Sequence, residues 1–436
     1  MLDGFSGASK IPELRRRLFF TMMMLAVYRI GIAVPTPGID TAAMKDFFEQ
    51  ASQTMFGFVN LMSGGALERF SIFALGIMPY ISASIIIQLL TVVVPPLERL
   101  SKEGEMGRRK ITQYTRYGTV LLAFIQSFFI SVGIETLQTP AGSSLVYYPG
   151  IGFRVMTALT LTCGTIFLMW VGEQISERGI GNGISLIIFA GIVSAIPSAL
   201  TSTYEYVANN ELSLLVAIAI GIFMIATVAF ITFMERGQRR VPVQYAKRVV
   251  GRKMYGGQSS HLPLKVNTPG VIPAIFASSL LIFPATIAQF VEHPYAQTVS
   301  NMLLPGTVSY DLLYIGLIIF FCYFYTAVTF NTVDVADNMK KFGGYIPGIR
   351  PGPRTAEYID RILSRITLGG ALYLSAVCVL PTLLIRQVNV PFFFGGTALL
   401  IVVGVALDTV AQIETHLLTH SYQGFMKRGR FRGRRG

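Results

Sequence analysis

The sequence predicts an all-α polytopic membrane protein of ten transmembrane helices, arranged as two inverted five-helix halves. Three observations carry this reading. Hydrophobic residues make up 52% of the chain and charged ones only 14%, with a mean hydropathy of +0.56, whereas soluble proteins average about 25% charged residues. Ten windows approach the roughly 20 apolar residues that a helix needs to cross a bilayer. Lysine and arginine fall almost entirely on alternate loops.

The windows lie near 18–34, 76–94, 117–135, 155–172, 183–200, 213–234, 271–291, 313–330, 367–385 and 395–413. The first follows Arg15, Arg16 and Arg17, as a secretory signal does, but it runs on to Pro35-Thr36-Pro37-Gly38 without a small-residue cleavage site, which predicts a retained first helix. The stretch through Arg17, the loops after spans two, four, six and eight, and the C-terminal tail hold 31 of the 36 Lys and Arg residues, against four on the opposite loops. Cytoplasmic loops carry the basic excess, so both termini are expected in the cytoplasm. The net charge of +13 is therefore mostly topology.

Cutting the chain at its outer hinge loop, 201–212, leaves a first half at 18–200 and a second at 213–413, with a cytoplasmic N-terminus at 1–17 and a basic tail at 414–436. Five spans per half is an odd number, so halves that share a fold face opposite ways, as in many transporters. Segment 55–75 breaks the pattern: it is apolar in parts but interrupted by Ser63-Gly64-Gly65 and by Glu68-Arg69. Irregular backbone at membrane depth is tolerated only inside protein or along a cavity. The segment is thus either a re-entrant element or an amphipathic loop on the outer side.

The two largest cytoplasmic loops are 235–270 and 331–366. In the first, Val241, Val243 and Tyr245 alternate with Pro242 and Gln244, the pattern of a short strand or hairpin. In the second, Gly343-Gly344-Tyr345-Ile346-Pro347-Gly348-Ile349-Arg350-Pro351-Gly352 specifies a shaped loop rather than a helix.

Catalytic motifs are missing. There is no phosphate-binding Gly-x-x-x-x-Gly-Lys-Ser/Thr loop and no His-Glu-x-x-His zinc pair. His261, His293, His416 and His420 fall in loops or at the cytoplasmic end of the last span, so an intramembrane serine hydrolase lacks its base. Cys163, Cys322 and Cys378 sit singly in apolar runs, without ligand spacing or a disulfide framework. No catalytic residue, metal or cofactor is expected, and the chain reads as a conduit or scaffold. Within the spans, Arg29 and Asp408 are the notable charges. Insertion of such a charge costs about 2.5–3.5 kcal/mol, so each is a structural pair, a snorkelling side chain or a functional group. So few midplane carboxylates weigh against an ion-coupled solute transporter.

Several motifs, in order along the chain, then carry a resemblance. They include Ser63-Gly64-Gly65-Ala66, Phe73-Ala74-Leu75-Gly76-Ile77-Met78-Pro79-Tyr80-Ile81, Gly179-Ile180-Gly181-Asn182-Gly183, Glu235-Arg236-Gly237-Gln238-Arg239-Arg240, His261-Leu262-Pro263-Leu264-Lys265-Val266-Asn267 and Pro347-Gly348-Ile349-Arg350-Pro351-Gly352. Together they resemble the SecY family of bacterial protein-conducting channels over nearly the whole chain.

That resemblance implies a central hourglass pore closed by an apolar ring of Ile77 and Ile81 in span two, Ile184 and Ile188 in span five, Ile275 in span seven and Ile401 in span ten. The first two pairs are spaced i, i+4 and so share a helix face; from the residues alone they read as ordinary core or lipid-facing isoleucines. Segment 55–75 becomes a plug, with Phe56, Asn60, Ser63, Gly64 and Gly65. Spans two and seven become a lateral gate, with Gln88 and Asn267 beside it. Arg240, Arg252, Lys253 and Arg350 become docking residues for a SecA-type motor ATPase or for the rRNA of a ribosome. The resemblance further implies SecE-like and SecG-like small membrane subunits. It makes secretory polypeptides and their signal sequences the cargo, and a bacterial plasma-membrane bilayer the surroundings. The tail from Lys427 to Arg435 either touches anionic lipid or RNA or is disordered.

Overall fold

A computed structural model describes residues 11–51, 60, 63–137, 144–209, 212–245, 248–250, 253–255, 259–289, 302–303, 307–388 and 396–428. The first half contains α1 (Pro12–Ile32), α2 (Thr41–Ala51), α3 (Met78–Val93), α4 (Pro95–Lys102), α5 (Glu105–Thr136), α6 (Ile151–Arg178) and α7 (Gly183–Ala208). The second contains α8 (Leu214–Arg236), β1 (Gln238–Tyr245), β2 (Arg248–Val250), β3 (Lys253–Tyr255), β4 (Ser259–Lys265), α9 (Ile272–Gln289), α10 (Val308–Thr329), α11 (Thr332–Lys341), β5 (Gly344–Tyr345), α12 (Pro353–Val388) and α13 (Gly396–Arg428).

Among the described residues, seven helices are long and apolar enough to cross a membrane: α5, α6, α7, α8, α10 (continuing into α11), α12 and α13. α3 and α4 pass the same test taken together, bent by 99° between them, and count as an eighth if the pair is one span. Pro95 and Pro96 open α4, and the residue before a proline is steered away from helical backbone, which is why the break falls at Val94. α1 and the shorter apolar helix within α9, Ile272–Ile282, occupy the first and seventh expected windows. The arginines of α1 exclude it from a purely apolar count.

Several helices outrun their apolar windows. α12 has 36 residues and α13 has 33, because their polar ends continue as helix beyond hydrocarbon depth. Loop 331–366 is correspondingly more helical than its glycines and prolines suggest: only 342–352 is irregular apart from the two residues of β5. α8 is the most apolar helix, with a hydropathy of 2.9 and only 6% of that window buried. Its Leu215, Ile218, Ile222 and Ile225 are exposed as a face that this chain leaves uncovered.

Segments 235–270 and 331–366 fold together. β1 pairs antiparallel with β4, Val241 opposite Leu262, and β5 joins the other side of β1 through Gln244 and Tyr345. β5 reaches only Gln244 and Tyr245, so Pro242 has one neighbouring strand, and a missing N–H is tolerated there. The alternation of β1 buries Val241 and Val243 against Leu264, Met339, Ile346, Ile359, Ile362 and Leu363. A small hairpin of β2 and β3 extends the first loop.

α7 begins at Asn182, whose Oδ1 accepts from the Ile184 N–H at 3.1 Å, an N-cap that satisfies a helix-end donor. At this point α7 lies hard against α6: a Cβ on Gly183 would collide with the Gly172 carbonyl. Gly183→Ala is therefore expected to destabilise the purified protein by about 1–3 kcal/mol through overpacking. Gly221→Ala, where nothing lies within 4 Å, is expected to be neutral or to stabilise by up to about 1 kcal/mol. Thermal unfolding in detergent of the two variants checks the contrast.

Candidate functional site

The expected ring residues come from four elements. Ile77 precedes α3 as its N-cap, with φ −97° and ψ 3°, so it is not on the helix as its spacing suggested. The i, i+4 relation survives because the Ile81 N–H donates to the Ile77 carbonyl at 3.2 Å. Ile81 is the fourth residue of α3, Ile188 lies one turn beyond Ile184 on α7, Ile275 is near the start of α9 and Ile401 is on α13. Ile77, Ile81, Ile188, Ile275 and Ile401 are all buried in one hydrophobic core, and the partly buried Ile184 packs on it. Ile184 also touches the wall where α6 has Gly172.

The irregular segment enters this core. Ala66 is fully buried in the same cluster as the isoleucines, while Leu67 and Phe70 fill a second cluster with Met44, Phe48 and Leu161. Its described part, 63–76, is a succession of turns and not a helix. Gly64 and Gly65 have φ of +71° and +84°, a region that L residues adopt at a cost. Gly64 has a second reason to be glycine: a Cβ there would come within 2.8 Å of the Gly191 Cα on α7. Asn60 organises the turn. Its Oδ1 accepts from the Glu68 N–H at 2.9 Å and its carbonyl accepts from the Gly65 N–H at 2.9 Å. The segment is strapped to the end of α1 by Ile72 N–H to the Val34 carbonyl at 3.0 Å and Thr36 N–H to the Phe70 carbonyl at 2.9 Å. Phe56 lies outside the described residues.

Two side chains of α1 reach the strap. Tyr28 Oη donates to the Ser63 carbonyl at 2.9 Å, and Arg29 Nη1 donates to the Gly64 carbonyl at 3.0 Å. Arg29 Nη1 also donates to Ser194 Oγ on α7 at 2.8 Å. Arg29 and Asp408 do not pair; Asp408 lies within electrostatic range of Lys265 and Glu235.

α3 packs against α9, and Ser279 Oγ donates to Met78 Sδ at 3.9 Å across that seam. Gln88 and Asn267, expected together beside it, are held by different partners. Gln88 Nε2 donates to Ser84 Oγ at 3.4 Å on its own helix. Asn267 precedes α9, where its Nδ2 donates to Glu235 Oε1 at 2.6 Å and to the Gly270 carbonyl at 3.0 Å. Sequence reasoning passed over Gln126, Ser278 and Ser279, which are polar groups inside apolar windows and so were findable. Gln126 Oε1 and Gln88 Oε1 are buried without a partner among the described residues.

Of the basic residues, Arg240 is exposed on β1 and Arg350 is exposed five residues beyond β5. The sheet thus unites the two loops on one platform. Lys253 lies in β3, with only its backbone described, and Arg252 lies outside the described residues.

An apolar core assembled from four helices, with an irregular strap packed into it, is the arrangement of a polytopic helical membrane protein. The SecY family model matches residues 71–410. "Protein translocase subunit SecY" of Escherichia coli (strain K12) is 52% identical over 436 residues, covering 99% of this chain and 98% of that one. Its counterpart in Vibrio cholerae is 51% identical over 438 residues, covering 99% and 98%. A solved structure described as "The structure of a protein conducting channel" superposes with a TM-score of 0.66 at 18% identity, covering 93% of both chains. Sec61 in the canine ribosome-channel complex does so at 0.62 and 17%, again covering 93% of both. The chain belongs to the SecY family.

The Asn267–Glu235 bond gives a stability prediction. Asn267→Ala strips the Glu235 carboxylate of a donor and is expected to cost about 1–3 kcal/mol. Adding Glu235→Leu should recover part of that loss, with a coupling of about 0.5–3 kcal/mol. Unfolding midpoints of the single and double variants in detergent measure it.

Proposed function

We propose that this chain is the pore-forming subunit through which unfolded secretory polypeptides cross a bacterial plasma membrane. Apolar segments leave it sideways into lipid, and both termini face the cytoplasm. The observation that supports this best is the convergence of Ile77, Ile81, Ile188, Ile275 and Ile401 in one core with Ala66 of the strap. A narrow apolar collar dewets and blocks ions. Its side chains can part around a passing chain, and it has no hydrogen-bond code to favour one sequence over another. Segment 55–75 is the plug seated on it.

The lateral exit is the seam between α3 and α9. The polar contact across it from Ser279 to Met78 is a long hydroxyl–sulfur bond, and sulfur is a weak acceptor. A segment in the pore leaves by this route when transfer to lipid is favourable, so hydrophobicity sorts membrane segments from secreted ones.

The channel is passive. A SecA-type motor ATPase or a ribosome docks on the platform of β1, β4 and β5 and on the adjoining loops, using Arg240, Arg350, Arg252 and Lys253. Guanidinium groups suit acidic protein surfaces and rRNA phosphates alike. SecE-like and SecG-like subunits cover apolar faces such as that of α8.

A photo-crosslinking residue at Ile188 is expected to capture a secretory chain stalled midway through export, and one at Leu215, 76% exposed on α8, is not. Capture at neither Ile188 nor Ile81 while export proceeds would sink the pore assignment in favour of a solute transporter. The pair Arg240→Glu and Arg350→Glu is expected to cut motor-driven translocation about tenfold or more, as reversal of close interfacial charge pairs does, with thermal stability unchanged. Full translocation in that variant removes the docking role.

A further inference from the structure

Arg29 carries a function that the family assignment does not give it. It lies in the last turn of α1, at the outer end of the span. Among the described residues it forms no ion pair with a carboxylate. Instead, one nitrogen, Nη1, joins three elements: α1 itself, the strap through the Gly64 carbonyl at 3.0 Å, and α7 through Ser194 Oγ at 2.8 Å.

The polarity of this junction is fixed. Ser194 Oγ donates its own proton to the Gly191 carbonyl at 2.6 Å, which leaves its lone pairs as the acceptor for Arg29. Gly191 is also the residue whose Cα abuts Gly64. The turn can reach the guanidinium only because neither partner at that contact has a side chain. Tyr28 Oη, one residue earlier, holds the neighbouring Ser63 carbonyl. Two successive strap carbonyls are therefore held by two successive residues of α1.

Neutral acceptors make this junction reversible. Arg29 is exposed overall, so giving up these two bonds does not leave its charge sealed inside the protein. The apolar contacts of Ala66 and Phe70 locate the strap, but they carry no direction. The bonds at Ser63 and Gly64 do.

We propose that Arg29, backed by Ser194 and Tyr28, is the latch of the resting plug: a positioning residue that clamps the Gly64 turn between the first and fifth spans and lets go when a polypeptide enters. This rests on the channel reading above. It adds to that reading a specific set of groups that sets the closed–open balance.

The test uses the complete channel complex in proteoliposomes, with the motor added. Three quantities are read: resting ion leak, translocation of a normal secretory protein, and translocation of the same protein with a defective signal sequence. Loss of a hydrogen bond to a charged group shifts such a balance about tenfold or more. Arg29→Gln and Ser194→Ala are each expected to raise leak and defective-signal translocation by about that factor, with normal translocation and detergent melting temperature retained. A destabilised variant would lower all forms of transport together, so a selective gain separates a latch from a fold prop.

Unchanged leak and unchanged signal discrimination in Ser194→Ala, which removes only a hydroxyl, overturns the latch even if Arg29→Gln does not assemble. Failure of the unsubstituted complex to translocate the normal protein overturns the channel reading instead.

Discussion

Every backbone polar group at membrane depth must find its partner within the protein, and the rest of this structure depends on how that demand is met. Helices meet it internally, which is why nearly all of the apolar sequence is helical. Residues 63–76 cannot, and their groups are satisfied one by one. The Ser71 N–H donates to the Ala66 carbonyl, Ala74 to Ser71 and Gly76 to Phe73, while just past the end of α1 the Val34 carbonyl accepts from the Ile72 N–H and the Thr36 N–H donates to the Phe70 carbonyl. The carbonyls of Ser63 and Gly64 are met by side chains of α1. A segment satisfied in this way fits one wall only. The position of α1, the close approach of α7 at Gly191 and the burial of Ala66 all follow from seating it.

The same constraint explains why the interior is chemically plain. Hydroxyls on the spans mostly bond back to their own helices: Ser278 to the Ile275 carbonyl, Thr119 to Thr115, Thr326 to Cys322 and Ser375 to Ala371. Such groups are satisfied within their own helices, and the core where α3, α7, α9 and α13 meet is left to isoleucine. A conduit for many sequences suits that plainness, since a fixed donor or charge along its path would prefer some passing residues over others. Three amide oxygens are buried without a partner among the described residues: Gln88 Oε1 on α3, Gln126 Oε1 on α5 and Asn267 Oδ1 just ahead of α9. α3 and α5 both pack against α9. This polarity lies on the elements that flank the isoleucine core.

What was legible in the sequence tracks the range of the physics involved. Apolar windows depend on local composition, and each expected span from 18–34 to 395–413 meets a helix. The alternation of Val241 and Val243 is also local, and it appears as β1. The sheet register was not legible, because β5 joins β1 from about a hundred residues away through only two pairs. The N-cap position of Ile77 was hidden as well: its i, i+4 spacing to Ile81 is helical, while the turn at Gly76, with φ +57°, delays the helix by one residue. Arg29 could be flagged as a charge out of place, but its partners could not be named. They are a carbonyl oxygen, which every residue has, and a serine that looks like any other helix-facing serine. Gln88 and Asn267 were grouped by the gate they flank, whereas short-range bonds to Ser84 and Glu235 decide where each one points.

The platform and the strap are held by different means. The platform has its own apolar core, and α12 runs through it without a break. Ile359, Ile362 and Leu363 lie in that core, and Ala371, Leu374 and Val377 on the same helix lie in the core shared by Ile77, Ile81, Ile188, Ile275 and Ile401. The platform is therefore joined to that central core through a continuous helix, whose internal hydrogen bonds resist bending. The strap is instead a run of turns, tied to the end of α1 by single hydrogen bonds and packed through Ala66, Leu67 and Phe70. The two paths meet in one core, where Ala66 of the strap and Leu374 of α12 are both buried.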